Sequence, residues 1–579
     1  MLVRITVPIK FGRHQRQGLN LLATEGGLGP PHPIMSELEH SVPPERATKL
    51  HRWKAKGFSE TLTIDLISVA ILIGYFLHFA LQSLPAHFRG DDMMNMEYYW
   101  STGTLKAIRA NLFFWTSFER PLAALYYLPL HHFFDLHAKP YRVVTITLVG
   151  AAIPFAYSLA RSLVTSRSVA FLAVVAWCYH PRLAGLVFID AFIYDVLCSL
   201  FYLAALACYV GIREKGRSLH PLQLFGCFVL YLCALNSKEM AVTLPVVVLI
   251  YELLKYYHEP KRKNFSQWIL SDASPALVAG LIGAVYCYAK MYGPDGLYVH
   301  PQGRDAYVPH YSWHAFRTAN ASFFSQLVYL GANHVIPSRM VFAVWASVFF
   351  YAFLRRDRVL ELMAFWVVIT PLPLDFIVPI RGDASLILPF FGWAMIFAKL
   401  AADLIKLLSK SSIVIDGRSG VGAATGAIIG GAVTGRVGAV AIGAAAGAML
   451  VRLSTPIFRV VATLIVACAL AIYTKRQNRG WAPRLLHVGE KEAHVIEAFH
   501  ALNLRPRPGS KILLTDNPFA NAPWGGEWVP VLIAKVLWND HSLAVYQEGK
   551  NELNAQEIEQ MDYILAVHEY KVDVIRQRQ

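Results

Sequence analysis

Apolar runs of membrane-spanning length recur along most of this chain. About 20 apolar residues cross the hydrocarbon core of a bilayer as a helix. The chain is 55% hydrophobic and only 16% charged, against about 25% charged residues in soluble proteins. We therefore predict a mainly α, polytopic membrane bundle of about 11 spans, which excludes a soluble enzyme. The runs begin near Leu62, Val143, Val169, Ala191, Leu222, Ala241, Ser274, Met340, Leu360, Leu386 and Thr455.

Basic clusters indicate the orientation of the bundle. Lys and Arg concentrate in cytoplasmic loops of membrane proteins, so the net charge of +15 needs no nucleic-acid partner. The loops predicted to lie inside are Arg161–Arg167, Arg213–Arg217, His258–Asn264 and Arg355–Arg358. The segments predicted to lie outside are Pro85–Arg142, a short loop near Asp190, Asn236–Glu239, Pro294–Arg339 and Pro379–Ser385.

Four regions follow from this pattern. Residues 1–61 form a polar cytoplasmic segment, and residues 62–405 form the main transmembrane domain, with a long first outward loop at 85–142. Residues 406–474 contain a glycine-rich stretch and the last span. Small residues at every fourth position allow close helix packing in lipid, so Gly420–Leu450 is predicted to be a tight hairpin. An oligomerisation or pore element is the alternative.

Residues 475–579 are predicted to form a small soluble α/β domain on the outer side. Its apolar content indicates strands at Lys511–Leu514, Trp528–Ile533 and Leu543–Tyr546. Its periodicity indicates helices at Lys491–Leu502 and Asn554–Met561.

Two adjacent carboxylates, Asp91 and Asp92, follow the first span. Such a pair can hold a divalent cation, or one member can act as a base while the other tunes its pKa. The alternative is a helix cap for a helix that starts at Met93. In that case Asp92 fits the cap, and Asp91 remains free to face a cleft.

Cationic residues recur in the other outward segments. Arg120 precedes Pro121, and its guanidinium suits phosphate, although it could instead snorkel to the interface. Lys238 and Glu239 join two apolar runs, either as a ligand site or as an ion pair with each other. Arg381 lies in the last outward turn. An acid and several cations on one face suit transfer from a lipid-phosphate donor.

These motifs resemble the GT-C glycosyltransferases, especially the protein O-mannosyltransferase family and its bacterial relatives. The resemblance covers residues 60–405 and departs from relatives that carry a His and an Asn entering the second span, where this chain has Tyr141-Arg142-Val143. No tetratricopeptide repeat is found. The matching segments are Asp91-Asp92, Arg120-Pro121-Leu122, Asn236–Glu239 leading to Pro245, and Ile380-Arg381 leading to Leu388-Pro389 and Gly392-Trp393.

The resemblance implies an inverting transfer of one sugar from a polyprenyl-phosphate donor to a protein, lipid or glycan acceptor. Asp91 would be the general base, supported by Asp92, and Arg120, Lys238, Glu239 and Arg381 would form the donor-phosphate site. Some members of this group use a divalent metal and others do not, so the resemblance implies no definite cofactor, and a divalent cation could bind at Asp91 and Asp92.

The implied location is a bacterial inner membrane, with the site facing the periplasm. Two alternatives remain. One is a transporter or flippase of lipid-linked glycans, and the other is a glycan polymerase or ligase that uses the late loop 294–339.

Overall fold

The computed structural model describes residues 44–260, 262–294, 296–299, 308–330, 335–377, 380, 382–410, 455–521 and 526–578. Met1–Ile64 and Asp65–Gln579 are separate compact units. In the first unit the described residues, 44–64, are helical.

Helices dominate the chain, as predicted. The first helix, α1 (Pro44–Ala80), precedes three helices of the long first loop, which are α2 (Gly90–Thr102), α3 (Thr104–Leu112) and α4 (Ala124–Phe134). The bundle continues with α5 (Ala138–Leu163), α6 (Arg167–Cys178), α7 (Gly185–Phe188), α8 (Ile193–Arg213), α9 (Pro221–Ser237) and α10 (Leu244–His258). It is completed by α11 (Phe265–Trp268), α12 (Ser274–Tyr292), α13 (Trp313–Leu327), α14 (Ser338–Arg355), α15 (Arg358–Ile369), α16 (Leu372–Asp375), α17 (Ile387–Lys410) and α18 (Thr455–His487).

Each of the eleven predicted apolar runs lies in a helix. Among the described residues, eight helices are long and apolar enough to cross a membrane, or nine if the bent pair Arg167–Cys178 and Pro181–Phe188 is one span. That pair bends by 49° just before Pro181, because the residue before a proline is disfavoured in a helix. The prediction of a polytopic helical bundle is confirmed.

Indole hydrogen bonds and one glycine set the packing around α17. Trp177 Nε1 donates to the Ile387 carbonyl at 2.9 Å, and Trp366 Nε1 donates to the Leu388 carbonyl at 2.8 Å. A Cβ on Gly392 would lie 2.5 Å from Trp366 Cδ1, so only glycine fits there. The first residues of α17, Ile387 and Leu388, are thereby held against the bundle.

The described helices on either side of the glycine-rich segment meet at one end of the bundle. Arg459 Nε of α18 donates to Ser409 Oγ of α17 at 3.0 Å. The end of α17 and the start of α18 are therefore neighbours, as a hairpin between them requires. The predicted hairpin at Gly420–Leu450 lies outside the described residues.

The C-terminal residues form an α/β domain with a four-stranded sheet of order β2-β1-β3-β4. The strands are β1 (Lys511–Thr515), β2 (Ala544–Gln547), β3 (Tyr563–Val567) and β4 (Val572–Gln577), and the helices are α19 (Glu490–Leu502), α20 (Val529–Trp538) and α21 (Ala555–Glu559). Leu513 of β1 pairs in parallel with Tyr546 and with Ile564, whereas β3 and β4 are antiparallel. Both predicted helices are present, and two of the three predicted strands are correct.

The predicted strand at Trp528–Ile533 is wrong, because this run starts helix α20. A short apolar run does not distinguish a strand from a buried helix. Pro530 lies in the first turn, where proline favours a helix start.

The C-terminal domain packs on the first-loop helix α2. Trp100 Nε1 donates to Asn539 Oδ1 at 2.6 Å, and its ring stacks on His541 with centroids 4.0 Å apart. Lys535 Nζ lies 3.3 Å from Glu97 Oε1. The domain therefore lies at the same end of the bundle as the first loop, which we call the site end.

Candidate active site

Asp92 is fully buried at the third position of α2. Its Oδ2 accepts the Arg89 backbone N–H at 2.8 Å, and its Oδ1 accepts the Ala191 N–H at 2.5 Å. Asp92 is therefore the third residue of a helix that starts at Gly90, and it bonds back to the capping residue Arg89. The prediction that Asp92 itself caps a helix starting at Met93 is wrong. Burial, followed by the charge of Asp190, raises the pKa of Asp92. Asp92 holds two chain segments together and does not face solvent.

Arg142 supplies the cation for this buried cluster. Its side chain is fully buried, with Nη1 2.8 Å from Asp190 Oδ1 and Nη2 3.9 Å from Asp92 Oδ2. Tyr126 Oη also donates to Asp190 Oδ1 at 2.9 Å. One guanidinium thus lies between two carboxylates at the site end of α5. Sequence reasoning noted Arg142 only as a departure from the family pattern.

The six residues Asp190–Asp195, which comprise a short 3-10 turn and the first three residues of α8, connect the charged residues of the site, and we call them the 190–195 turn. Four of its residues each contact a different charged residue: Asp190 contacts Arg142, Ala191 contacts Asp92, Tyr194 contacts Arg120 and Asp195 contacts Lys238. Sequence reasoning placed a short outward loop here without assigning it a role. The only available signal was its two acids beside a span.

Arg120 is held from two directions at the surface of the site. Its Nε lies 3.2 Å from Glu239 Oε1 and its Nη2 lies 3.1 Å from Glu239 Oε2, while Tyr194 lies under the guanidinium at 4.7 Å. Side-chain exposure is 26% for Arg120 and 40% for Glu239, so an anion can reach the pair. Arg120 has φ +44°, a left-handed conformation that is rare for a residue other than glycine.

Lys238 occupies the neighbouring buried position. Its backbone is extended and ends α9, and its Nζ lies 2.6 Å from Asp195 Oδ1 and 2.9 Å from Ser385 Oγ. Lys238 and Glu239 therefore do not pair with each other, which corrects that alternative. The Ser385 contact brings the last turn before α17 into the site.

Lys290 is a cation at this site that sequence reasoning missed. It lies at the site end of α12, where its Nζ donates to the Phe118 carbonyl and lies 5.2 Å from the Tyr286 ring centroid. A single lysine at the end of an apolar run gives no sequence signal beyond an interfacial residue.

Asp91 is exposed one position before Asp92. The preceding residue, Gly90, touches the C-terminal domain: its N–H donates to Glu492 Oε1 at 3.2 Å, and an added Cβ would lie 3.0 Å from Val529 Cγ2. Asp91 is thus an accessible carboxylate beside the junction of α2 and the C-terminal domain.

Two further predictions concern Arg381 and a divalent cation at the acidic pair Asp91 and Asp92. Arg381 lies outside the described residues, although Gly382 and Ser385 on its C-terminal side are described. Within the described part of the chain, no three His, Cys, Asp or Glu side chains come together as a metal-ligand group. Both Asp92 oxygens are already engaged by backbone N–H groups, so the acidic pair does not form a joint ligand set.

The comparisons with known proteins found similarity to solved structures only. No family model matches the chain, and no curated protein matches it. ArnT from Cupriavidus metallidurans bound to undecaprenyl phosphate is 15% identical with a TM-score of 0.45, covering 84% of this chain and 86% of that one. The archaeal oligosaccharyltransferase AglB from Archaeoglobus fulgidus, in complex with an inhibitory peptide and a dolichol-phosphate, is 12% identical with a TM-score of 0.44, covering 87% and 69%. Likeness at this level assigns no donor, acceptor or reaction to this protein.

Proposed function

We propose that this protein is an integral-membrane glycosyltransferase of the GT-C type that moves one sugar from a polyprenyl-phosphate donor to an acceptor, with inversion. The observation that carries the proposal is the 190–195 turn. This turn joins the acidic start of α2 to Arg120 and Lys238 at one end of the bundle. The turn binds Asp92, the neighbour of the proposed base Asp91, together with the cations Arg120 and Lys238, and this grouping suits displacement of a phosphate leaving group.

The donor phosphate binds at the Arg120 side of the site. Arg120 is partly exposed, and a second cation, Lys290, donates to the carbonyl of Phe118, two residues before Arg120 in the chain. Lys238 and Glu239 hold the surrounding side chains, and Arg381 completes the group by resemblance. Guanidinium groups bind phosphate with directed hydrogen bonds. These cations stabilise the charge that the phosphate gains as it leaves.

Asp91 acts as the general base. Its carboxylate takes the proton of the acceptor hydroxyl while the acceptor oxygen forms a bond to the anomeric carbon. The bond from that carbon to the phosphate oxygen breaks, and the phosphate leaves with the electron pair. A single displacement of this kind inverts the anomeric centre. Asp92 is a positioning residue, because its oxygens bind the chain itself.

The acceptor, which is a protein, lipid or glycan, approaches between α2 and the C-terminal domain. Asp91 lies next to this junction, where Gly90 contacts Glu492 and Val529. The site end is opposite the basic loops, so the positive-inside rule places it on the non-cytoplasmic side. We propose the bacterial inner membrane, with the site facing the periplasm.

The test is sugar transfer by purified protein from a panel of polyprenyl-phosphate sugars. Asp91→Asn is expected to lower turnover by about 10²-fold or more, since general-base catalysis contributes that much. The control is Glu259→Gln, which neutralises an exposed acid at the opposite end of the bundle and is expected to leave turnover unchanged. Full turnover in Asp91→Asn would refute the base assignment. If no donor supports transfer or hydrolysis, but lipid-linked sugars cross proteoliposomes that contain the protein, the flippase alternative replaces the transferase.

A further inference from the structure

The half of α18 at the site end has an unusual charge. Lys475, Arg476, Arg479 and Arg484 lie in this half, and no Asp or Glu occurs between Thr455 and Gly489. The helix leads directly into the C-terminal domain, which packs on α2. These cations are therefore at the end of the bundle opposite the four basic loops. The positive-inside rule does not account for cations there.

Two of these cations line a cavity between α18 and the end of α1. The cavity has a volume of about 490 Å³. Its lining includes the basic or titratable side chains His78, Lys475 and Arg479 and the apolar side chains Phe79 and Leu486. No carboxylate from the described residues lines it. A cavity lined by both cations and apolar side chains suits an amphipathic anion.

A buried asparagine fixes the walls of this cavity. Asn478, also in the lining, is 3% exposed. Its Nδ2 donates to Gln82 Oε1 at 3.0 Å, and its Oδ1 accepts from Tyr179 Oη at 2.7 Å. Because these bonds join α18 to α1 and to the end of α6, the cavity is part of the folded bundle. It is not a gap between loosely packed helices.

The cations of the cavity carry an unbalanced charge. Lys475 and Arg479 are exposed, and neither forms an ion pair with a described residue. Arg182, which stacks on Trp481 at 4.2 Å, and Arg484, which lies 6.0 Å from the same ring, add further positive charge nearby. The unpaired positive charge favours an anion as occupant.

The depth of the cavity indicates where this anion comes from. The strongly apolar part of α18 begins at Ile457, and Lys475 lies 18 residues further on, about 27 Å along a helix that rises about 1.5 Å per residue. A hydrocarbon core is about 30 Å thick. Lys475 and Arg479 thus lie at the depth of the lipid phosphates.

We propose that this cavity binds the phosphate headgroup of an anionic membrane phospholipid. Lys475 and Arg479 contact the phosphate, and the acyl chains extend along the apolar part of α18 that precedes Lys475. The residues that line the cavity do not include Asp91, Arg120, Lys238 or Lys290. The bound phospholipid therefore occupies a different place from the proposed donor.

The test is native mass spectrometry of the purified full chain with added phosphatidylglycerol, phosphatidylcholine or undecaprenyl phosphate. The wild-type protein is expected to retain phosphatidylglycerol in preference to phosphatidylcholine. The double variant Lys475→Gln/Arg479→Gln is expected to weaken phosphatidylglycerol binding about tenfold or more, from the usual contribution of a basic residue at an anionic membrane surface. The control Arg476→Gln/Lys406→Gln removes the same charge from residues outside the cavity and is expected to bind as the wild type does.

Three results would overturn the proposal. They are unchanged phosphatidylglycerol binding in the double variant, equal loss in the control, and binding of undecaprenyl phosphate alone at this cavity. If the double variant does not fold, Arg479→Gln alone serves as the test, with Arg476→Gln as its matched control. An unchanged affinity for phosphatidylglycerol in Arg479→Gln contradicts the proposal in the same way.

Discussion

Arg142→Met should destabilise the protein severely, and by less at low pH. The side chains of Arg142, Asp190 and Asp92 are all fully buried. The guanidinium of Arg142 lies 2.8 Å from Asp190 Oδ1 and 3.9 Å from Asp92 Oδ2. Breaking a buried ion pair by removing one partner costs about 3–5 kcal/mol, because the remaining charge stays buried. Methionine matches much of the volume of the arginine stem, so the loss reports on charge and hydrogen bonds more than on a cavity.

The pH dependence has a definite sign. Burial and Asp190 raise the pKa of Asp92, so the folded state binds more protons than the unfolded state, whose carboxyls titrate near 3.9. Stability that depends on this proton is present at low pH and is lost as the pH rises through the folded-state pKa. Without Arg142, which lowers the pKa of Asp92, the effect grows. The loss in Arg142→Met is therefore expected to be larger at pH 8 than at pH 5.

The measurement is SDS-induced unfolding in mixed micelles, followed by tryptophan fluorescence at both pH values. The control is Arg358→Met, which removes a guanidinium 2.6 Å from Glu214 Oε1 in a pair that is 24% and 22% exposed. Partly exposed pairs contribute about 0–1 kcal/mol. Equal losses in the two variants, or a loss in Arg142→Met that does not change with pH, would refute the account of the buried cluster.

Two further predictions concern the regions beside the site. Burial raises the pKa of Asp375 to about 7, so ionising this carboxyl in the folded protein costs about 4 kcal/mol at about 1.4 kcal/mol per pKa unit. Asp375→Asn should therefore raise the SDS unfolding midpoint at pH 8 and change it little at pH 4. An equal effect at the two pH values would contradict this prediction. Trp100→Ala removes the ring stacking on His541 and the hydrogen bond to Asn539. Faster hydrogen exchange is therefore expected in α2 and α20 but not in α8. Unchanged exchange in α20 would show that other contacts hold the C-terminal domain on α2.

The sequence was sufficient for the features that depend on local pattern. Apolar runs of about 20 residues predicted the helices, because the length of a span follows from the thickness of the bilayer. The grouping of three candidate residues was also predictable. Arg120, Lys238 and Glu239 belong to segments that the alternation of spans places on one side, and the structure brings these three residues together.

The pairing of charges could not be predicted in the same way. Lys238 and Glu239 are adjacent in sequence, yet the first pairs with Asp195 and the second with Arg120. Each of these partners is more than 40 residues away. Which residues pair therefore depends on how α8, α9 and the first loop pack. Lys290 and Arg142 were missed for the same reason, since a single basic residue beside an apolar run has many ordinary explanations.

The two acids at the start of α2 show how a local rule and a distant contact combine. Consecutive helix residues point about 100° apart, so two adjacent aspartates cannot face the same direction. Asp92 is turned towards the 190–195 turn and becomes fully buried, and Asp91 is consequently turned towards solvent. The buried acid then fixes the turn that holds Tyr194 under Arg120 and Asp195 against Lys238. The pair therefore supplies one buried carboxylate that binds the 190–195 turn and one exposed carboxylate, as the proposed general base requires, which a single acid at either position could not do.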